Sequence, residues 1–324
     1  MKLTRWGALG TAAVGAVTMG VMVGALRLSP GEVWRALVDG SGPSAAIVRQ
    51  LRLPRALLGF TVGGGLAVSG AVLQALIRNP LGDPYLLGLT GGAALGAVLV
   101  IAIGLGGPWA VPLAAFGGAM AALTLVYRLS LVQGRRLDPH VLILAGVVVS
   151  AFSGALVSAL LVLSEAAELR NAFLWMLGGL GMSSWRTLLV YLAYAGPALL
   201  VLAWHARAFD LLALGDEPAR HLGADPERLK RVAYVATGLL TAAAVAVCGM
   251  IGFVGLVVPH AVRRLWGPLH AGLLPAAFLV GGIFLVLADA LARGLAPPLE
   301  LPVGVVTAVV GVPLFALLLR RGLA

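Results

Sequence analysis

The sequence predicts an all-α polytopic membrane protein with about ten transmembrane helices, one of them short or broken. Of its 324 residues, 60% are hydrophobic and 11% are charged, whereas a soluble domain carries about 25% charged residues. Apolar runs long enough to cross a bilayer core of about 30 Å recur along the whole chain. Helix-breaking Asn-Pro and Asp-Pro pairs, at 79–80 and 83–84, lie in a short polar segment between two of these runs, where a helix has to end. Most of the surface is therefore expected to face lipid.

Nine apolar runs are long enough to span the bilayer, and a tenth is shorter. The nine cover 6–26, 56–76, 86–105, 109–131, 141–163, 187–204, 232–251, 273–291 and 303–319. The first is longer than the apolar part of a signal peptide and no clear A-x-A site ends it, which favours a transmembrane helix. The tenth run, 254–266, follows the stretch CGMIGFVG and contains Pro259. We expect the glycines and this proline to open the backbone there, which requires cover by protein or by a water-filled cavity.

The distribution of basic residues predicts the orientation. Ten crossings bring both termini to one side, and with that side cytoplasmic, 15 of the 23 lysines and arginines lie inside and eight outside. Cytoplasmic loops carry the excess of lysine and arginine, so both termini are expected in the cytoplasm. The net charge of +10 then reflects topology and indicates no nucleic-acid partner. The segment 27–55 is an exception, because it would place five arginines outside.

Two further patterns concern how the helices pack. The stretches AVSGAVLQALIRNP (67–80) and AVCGMIGFVGLVVP (246–259) resemble each other and would run in opposite directions. An inverted structural repeat would give this pattern, and chance similarity in a chain rich in Ala, Val and Gly is the alternative. Glycine pairs four residues apart predict tight helix packing and not a particular dimer face. These pairs are Gly20/Gly24, Gly59/Gly63 and Gly92/Gly96.

The longest charged stretch, 207–232, is too polar to span and lies on the cytoplasmic side in this topology. Its first part, LGDEPARHLG, predicts a very short helix with Asp216 as N-cap and Gly223 as the residue that ends it. Its second part, DPERLKRV, predicts a new helix with Asp225 as N-cap and Pro226 at the first helical position. The segment is either an ordinary solvated loop or a docking element for a cytoplasmic partner.

Few residues are candidates for chemistry inside the membrane. Asp289 is the only carboxylate well within an apolar run, and Arg293 follows it at the i+4 position, so a helix-face ion pair and a proton relay are the alternatives. The single cysteine, Cys248, excludes an intrachain disulfide and is expected to be a packing residue. No two histidines have the spacing of a helical metal pair, and no catalytic set or phosphate-binding loop is present. We therefore expect no catalytic residue, no metal site and no cofactor.

Several long motifs resemble those of a known family. They are RLPRALLGFTVGGGLAVSGAVLQALIRNPLGDPYLLG, LALGDEPARHLG, GFVGLVVPHAVR, LADALAR and ELPVGVVTAVVGVPLFALLLRR. The chain resembles, over nearly its whole length, the FecCD-like permease subunits of bacterial ATP-binding-cassette (ABC) importers for iron–siderophore, haem and cobalamin. The resemblance implies a type II ABC importer permease architecture with one permease domain, 1–324, and a cytoplasmic coupling segment at 206–231.

The resemblance also implies partner subunits and a location in the bacterial inner membrane. A second permease copy, identical or a close paralogue, would form the translocation path between the two copies in the bacterial inner membrane. Two ATPase subunits would bind inside, and one periplasmic substrate-binding protein would dock outside. The chain itself would be no enzyme and would move its metal chelate by alternating access.

Three groups of residues match motif positions in that family. Coupling to the ATPase is expected at Gly215, Asp216, Ala219, Leu222 and Gly223. Docking of the binding protein is expected at Arg52, Arg55 and Arg293, which would explain arginines on the outer side. The inner gate is expected at Asn79, Pro80 and Leu81 together with Asp138, Pro139 and His140, where the histidine could add pH sensitivity. The competing hypothesis is an ion-coupled secondary transporter built on inverted repeats, with Asp289 as the coupling carboxylate.

Overall fold

The computed structural model describes residues 2–24, 26–40, 44–132, 136–295 and 299–322 and is helical over most of them. The helices are α1 (Lys2–Met22), α2 (Pro30–Val38), α3 (Leu53–Ile77), α4 (Leu89–Ala102), α5 (Ala110–Leu129), α6 (Pro139–Leu163), α7 (Ala166–Met176), α8 (Trp185–Trp204), α9 (Ala206–Ala213), α10 (Asp216–His221), α11 (Pro226–Cys248), α12 (Val254–Trp266), α13 (His270–Gly294) and α14 (Val303–Gly322). A π-helical turn, Ile47–Arg52, leads into α3, and a 3₁₀ turn, Pro84–Leu87, precedes α4. Two short strands, β1 (Leu131–Val132) and β2 (Arg136–Leu137), form an antiparallel hairpin between α5 and α6.

Each predicted apolar run corresponds to one observed helix. The ten helices α1, α3, α4, α5, α6, α8, α11, α12, α13 and α14 coincide with the ten apolar runs. Six helical segments in the described part are long and apolar enough to cross a membrane, and Leu89–Ala102 and Val303–Leu317 are shorter apolar helices. The predicted first span extends to Leu26, but α1 ends at Met22, and Ala25 lies outside the described residues. The all-α membrane architecture is therefore confirmed.

The helix α3 lies at the centre of the protein. Within its most apolar stretch 83% of the residues are buried, and it packs against α8, α11, α12 and α13. Close approach depends on glycine, because a Cβ atom at Gly63 would overlap the carbonyl oxygen of Gly281 on α13. The same holds for Gly92 and Gly96 on α4, which face the backbone of α5. The predicted role of these glycines in packing within the chain is confirmed.

The expected break lies between α11 and α12, where residues 249–253 are not helical. Gly249 and Phe253 both have positive φ, 66° and 69°. The hydroxyl of Tyr85 covers the open backbone by donating to the Ile251 carbonyl at 2.8 Å and accepting from the Ile251 N–H at 2.7 Å. The Gly179 N–H donates to the Cys248 carbonyl at 2.8 Å. Protein groups therefore satisfy the backbone that a helix would otherwise pair, as membrane depth requires.

One sequence expectation about this region was wrong. Pro259 does not open the backbone, because α12 continues through it. Its missing N–H leaves the Gly255 carbonyl without the helical donor, and α3 approaches that carbonyl at Gly70, where a Cβ would not fit. The two stretches of the possible repeat differ in local structure. Residues 67–77 continue one helix, whereas 246–259 consist of a helix end, a break and a new helix.

Candidate functional site

The coupling segment, residues 206–231, folds into α9, α10 and the start of α11. Two glycines with positive φ enclose α10, Gly215 at 114° and Gly223 at 82°. Such backbone favours glycine, since a side chain would be strained there. The expected N-cap was one residue off, because Gly215 occupies the cap position and the side chain of Asp216 makes no capping bond. The second cap is confirmed, as Asp225 accepts hydrogen bonds from the Glu227 and Arg228 N–H groups.

The Asp216 carboxylate is used for a different purpose from capping. Its Oδ2 lies 2.6 Å from the Nζ of Lys230 on α11, and the Lys230 side chain is 3% exposed. The same ammonium donates to the carbonyl oxygen of Leu137 at 3.1 Å and to Glu227 at 3.2 Å. A charged group this deeply buried needs such partners, because desolvation of an unpaired ammonium is costly. This cluster holds α10 against the body of the protein.

The five predicted coupling residues divide into three sets. Ala219 is buried and Asp216 points toward Lys230, so these two seat α10 on its own protein. Leu222 is 60% exposed, an apolar side chain on a polar protrusion. The glycines Gly215 and Gly223 shape the turns at either end. The protrusion therefore has a buried side that fixes it and an apolar group that a partner can cover.

The two predicted parts of the inner gate lie at helix ends. Asn79, Pro80 and Leu81 follow the end of α3 and are exposed, and the Asn79 side chain accepts from the Leu81 N–H at 2.9 Å. Asp138 caps α6 by accepting from the His140 and Val141 N–H groups at 2.8 and 3.3 Å. Burial raises the pKa of this carboxyl group, but the two backbone hydrogen bonds outweigh that effect and the pKa lies below its ordinary value.

The loop after the first gate part contains a second acidic group. Asp83 is partly buried and caps the 3₁₀ turn by accepting from the Tyr85 N–H at 2.8 Å. Burial raises its pKa to about 6, against the lowering effect of that hydrogen bond. The charge of Asp83 therefore changes near neutral pH, a property that the sequence pattern did not reveal.

Both gate parts lie next to the coupling segment. The Arg78 guanidinium, at the end of α3, lies 3.1 Å from the position that a Cβ of Gly215 would take. Leu137, one residue before the α6 cap, binds Lys230 through its carbonyl and Glu227 through its N–H, the latter at 2.9 Å. The structure thus places the predicted gate and the predicted coupling residues at the same end of the bundle. No pattern in the sequence indicated the contact of Lys230 with Leu137 or that of Tyr85 with Ile251, because the partners lie 93 and 166 positions apart.

An ionic cluster at the other end of α3 and α13 contains the predicted docking arginines. Asp289 is 1% exposed and bonds Arg55 and Arg293 at 2.9 Å each. Glu300 is a second partner of Arg55, also at 2.9 Å. The helix-face pair of Asp289 with Arg293 is therefore confirmed, and both carboxylate oxygens are occupied. A proton relay or a coupling ion would need at least one of these oxygens.

Two of the three predicted docking arginines, Arg52 and Arg293, bind backbone carbonyl groups of this chain. Arg52 is buried and donates from its guanidinium to the carbonyl oxygens of Val21 and Met22, both at 3.0 Å, and of Leu26. Arg293 is also buried and donates to the carbonyl oxygens of Gly20 and Val23. The physical reason is that the end of α1 leaves carbonyl groups unpaired, and arginine supplies several donors at once. The arginines join α1, α3 and α13.

Comparisons with known proteins agree with this architecture. Residues 12–321 match the FecCD transport family. The cobalamin import system permease protein BtuC of Halobacterium salinarum is 44% identical over 274 residues, covering 85% of this chain and 73% of that protein. The hemin transport system permease protein HmuU of Yersinia pestis is 41% identical, covering 92% of this chain and 90% of that protein.

A solved structure shares the whole fold. It is a chain of a metal-chelate type ABC transporter in an inward-facing conformation, with a TM-score of 0.89 and 32% sequence identity, and the match covers 98% of this chain and 99% of that chain. The helix order described above is therefore that of a transporter fold. The chain belongs to the FecCD transport family and is a membrane permease.

Proposed function

We propose that the chain is the permease subunit of an ABC importer that carries a metal chelate from the periplasm to the cytoplasm by alternating access. Relatives named for cobalamin and hemin support chelate cargo, and we retain iron–siderophore as a third class. In this proposal the chain lies in the bacterial inner membrane as one permease domain, with both termini in the cytoplasm. It works with a second permease copy, two ATPase subunits and a periplasmic substrate-binding protein, and ATP is hydrolysed in the ATPase subunits.

The observation that carries the proposal is the coupling segment. It protrudes as the short helix α10, is enclosed by two glycines with positive φ and is tied to α11 by the Asp216–Lys230 pair. A stiff element of this kind can pass a push from a partner to the helices behind it as rigid-body movement. A solvated loop would need neither the buried ion pair nor the apolar Leu222 on its outside.

Docking of the binding protein by Arg52, Arg55 and Arg293 remains part of the proposal in a modified form. Arg55 is the best candidate for contact with the binding protein, because its partner Glu300 is half exposed and can be displaced. A carboxylate of the binding protein would then replace Glu300 while Asp289 keeps holding the arginine. Such pairs set register and encounter rate more than affinity.

The experiment that tests the proposal compares two exposed leucines. Leu222→Glu places a charge where the ATPase is expected to bind, and Leu269→Glu places one on the exposed loop between α12 and α13. In liposomes containing the complete importer, uptake of cyanocobalamin, haemin and a ferric hydroxamate siderophore is measured with and without ATP. We expect L222E to weaken ATPase binding at least tenfold and to abolish uptake, and L269E to behave as wild type. Normal assembly and uptake by L222E would refute the proposal.

A further inference from the structure

We propose that Lys230 is the positioning residue that carries movement of α10 to the first turn of α6. The inference rests on the proposed function and deepens it, because it names the link between the ATPase-binding element and the expected inner gate. Lys230 lies inside α11 and would touch neither the transported chelate nor the ATPase, since its side chain is almost fully buried.

The geometry on the α10 side is a single short ion pair. The Nζ of Lys230 lies 2.6 Å from Oδ2 of Asp216, which is the first residue of α10. The other carboxylate oxygen, Oδ1, is buried and has no partner among the described residues. Lys230 is therefore the group that orients this carboxylate. A shift of α10 either moves the ammonium with it or leaves a buried charge unpaired, which is the costly alternative.

The geometry on the α6 side engages both backbone groups of one residue. Leu137 accepts from the Lys230 ammonium at 3.1 Å through its carbonyl, and its N–H donates to Oε2 of Glu227 at 2.9 Å. Glu227 is in turn held by Lys230, whose Nζ lies 3.2 Å from its Oε1. All three donors of the ammonium are thus occupied. The next residue, Asp138, caps α6, so a displacement of Leu137 reaches the first turn of that helix directly.

Packing alone would not provide the same link. The α10 helix has six residues, and such a short helix has little stability of its own. Among the described residues, α10 makes no hydrogen bond of its own with the start of α6, and the contact between them runs through Lys230 and Glu227. Replacing the ammonium by an apolar group of similar length would keep the volume and remove the three bonds.

The test uses the complete importer in liposomes and the chelate that wild-type vesicles accumulate among cyanocobalamin, haemin and a ferric hydroxamate. The variants are Lys230→Met, Asp216→Asn and their combination, with Arg228→Met as the matched control, an exposed cation on the same helix. Three quantities are measured: ATPase subunits retained by the permease, basal ATP hydrolysis, and chelate molecules carried per ATP hydrolysed.

We expect K230M to keep the ATPase subunits and basal hydrolysis but to carry at least fivefold fewer molecules per ATP. D216N should show a similar loss, the double variant should be no worse than the more affected single variant, and R228M should match wild type. Shared loss of this kind is what one common link produces. A normal ratio in K230M, or additive losses, would overturn the proposal.

Loss of the ATPase subunits from K230M would also overturn it, because Lys230 would then only shape the docking surface. Failure of the proposed function looks different. In that case wild-type vesicles themselves would show no ATP-dependent uptake and no ATPase binding, whatever residue stands at position 230.

Discussion

Replacing Tyr85 by phenylalanine should destabilise the break between α11 and α12 without changing its packing. The substitution removes one hydroxyl, which serves Ile251 twice, as a donor to its carbonyl and as an acceptor from its N–H. Ile251 is 2% exposed, so both backbone groups would be left buried without partners. Each such group costs about 1–3 kcal/mol. The sum is about 2–6 kcal/mol, and relaxation of the loop or entry of a water should bring the observed loss to about 2–4 kcal/mol.

The assay is thermal unfolding of the purified permease in detergent, followed by tryptophan fluorescence. A loss of 1 kcal/mol lowers the midpoint by roughly 2–4 °C in domains of 150–250 residues, and by less in a longer chain. We therefore expect Y85F to lower it by about 4–8 °C. All variants are heated at one scan rate, since unfolding of large proteins is often irreversible.

The matched control is Tyr194→Phe on α8. Tyr194 is exposed and stacks near Phe116, with no described hydrogen bond through its hydroxyl. Y194F should leave the midpoint within about 1 °C of wild type, as expected for a surface substitution. If Y85F and Y194F shift the midpoint equally, the hydroxyl does not hold the break and the reasoning fails.

Three further predictions can be checked with the same unfolding assay. Asp289→Asn leaves two arginines beside each other without their shared carboxylate and should lower the free energy of unfolding by about 3–5 kcal/mol. Glu300→Gln, at a half-exposed site, should lower it by at most about 1 kcal/mol. Equal effects of the two variants would contradict the buried cluster. Gly63→Ala should lower the free energy of unfolding by about 1–3 kcal/mol or more, because the added Cβ overlaps α13. Gly196→Ala should be neutral or stabilising, because a Cβ there meets no atom within 4 Å. If G63A is as stable as wild type, the close approach is refuted. Asp83 has its pKa raised to about 6 in the folded protein, so the folded state favours its neutral form and stability falls as pH rises through roughly 4 to 6. Asp83→Asn keeps the capping acceptor and should stabilise the protein at pH 7.5 by at most about 3 kcal/mol, which raises the unfolding midpoint, with no gain near pH 4. A gain independent of pH would exclude this cause.

The apolar runs were sufficient to predict the ten helices that coincide with them, though not α2, α7 or α9, and residue spacing was sufficient for local contacts. The short helix at 216–221, the cap at Asp225 and the pair Asp289–Arg293 all depend on residues within four positions of each other. Local rules of capping and of i,i+4 pairing apply directly to such distances. One local detail failed, since Asp216 does not cap α10. Its carboxylate has a stronger partner in Lys230, fourteen positions later.

The remaining site contacts could not be predicted, because they depend on how helices rotate and slide against each other. Arg55 meets Asp289 across 234 positions and Tyr85 meets Ile251 across 166. A single sequence does not specify which faces of two apolar helices touch, since nearly every face is apolar. The outer arginines show the consequence. The family resemblance implied that they bind a partner, and only the fold shows that carbonyl groups near the end of α1 occupy Arg52 and Arg293, whereas Arg55 binds Asp289 and Glu300.

The distribution of contacts indicates which parts of the protein move together. Ionic ties lie at the two ends of the bundle, around Lys230 and around Asp289. Between them, α3 meets α13 at Gly63 and Gly281 and meets α12 at Gly70 and Gly255, with backbone against backbone. Such tightly packed helices resist bending, so a push at one end moves them as a body and does not dissipate within them. The helix ends at the predicted gate lie outside this glycine packing, whereas the break at 249–253 is held by the Tyr85 hydroxyl. We therefore expect substitutions that fill the glycine contacts to lower stability, whereas Lys230→Met is expected to lower the number of chelate molecules carried per ATP hydrolysed.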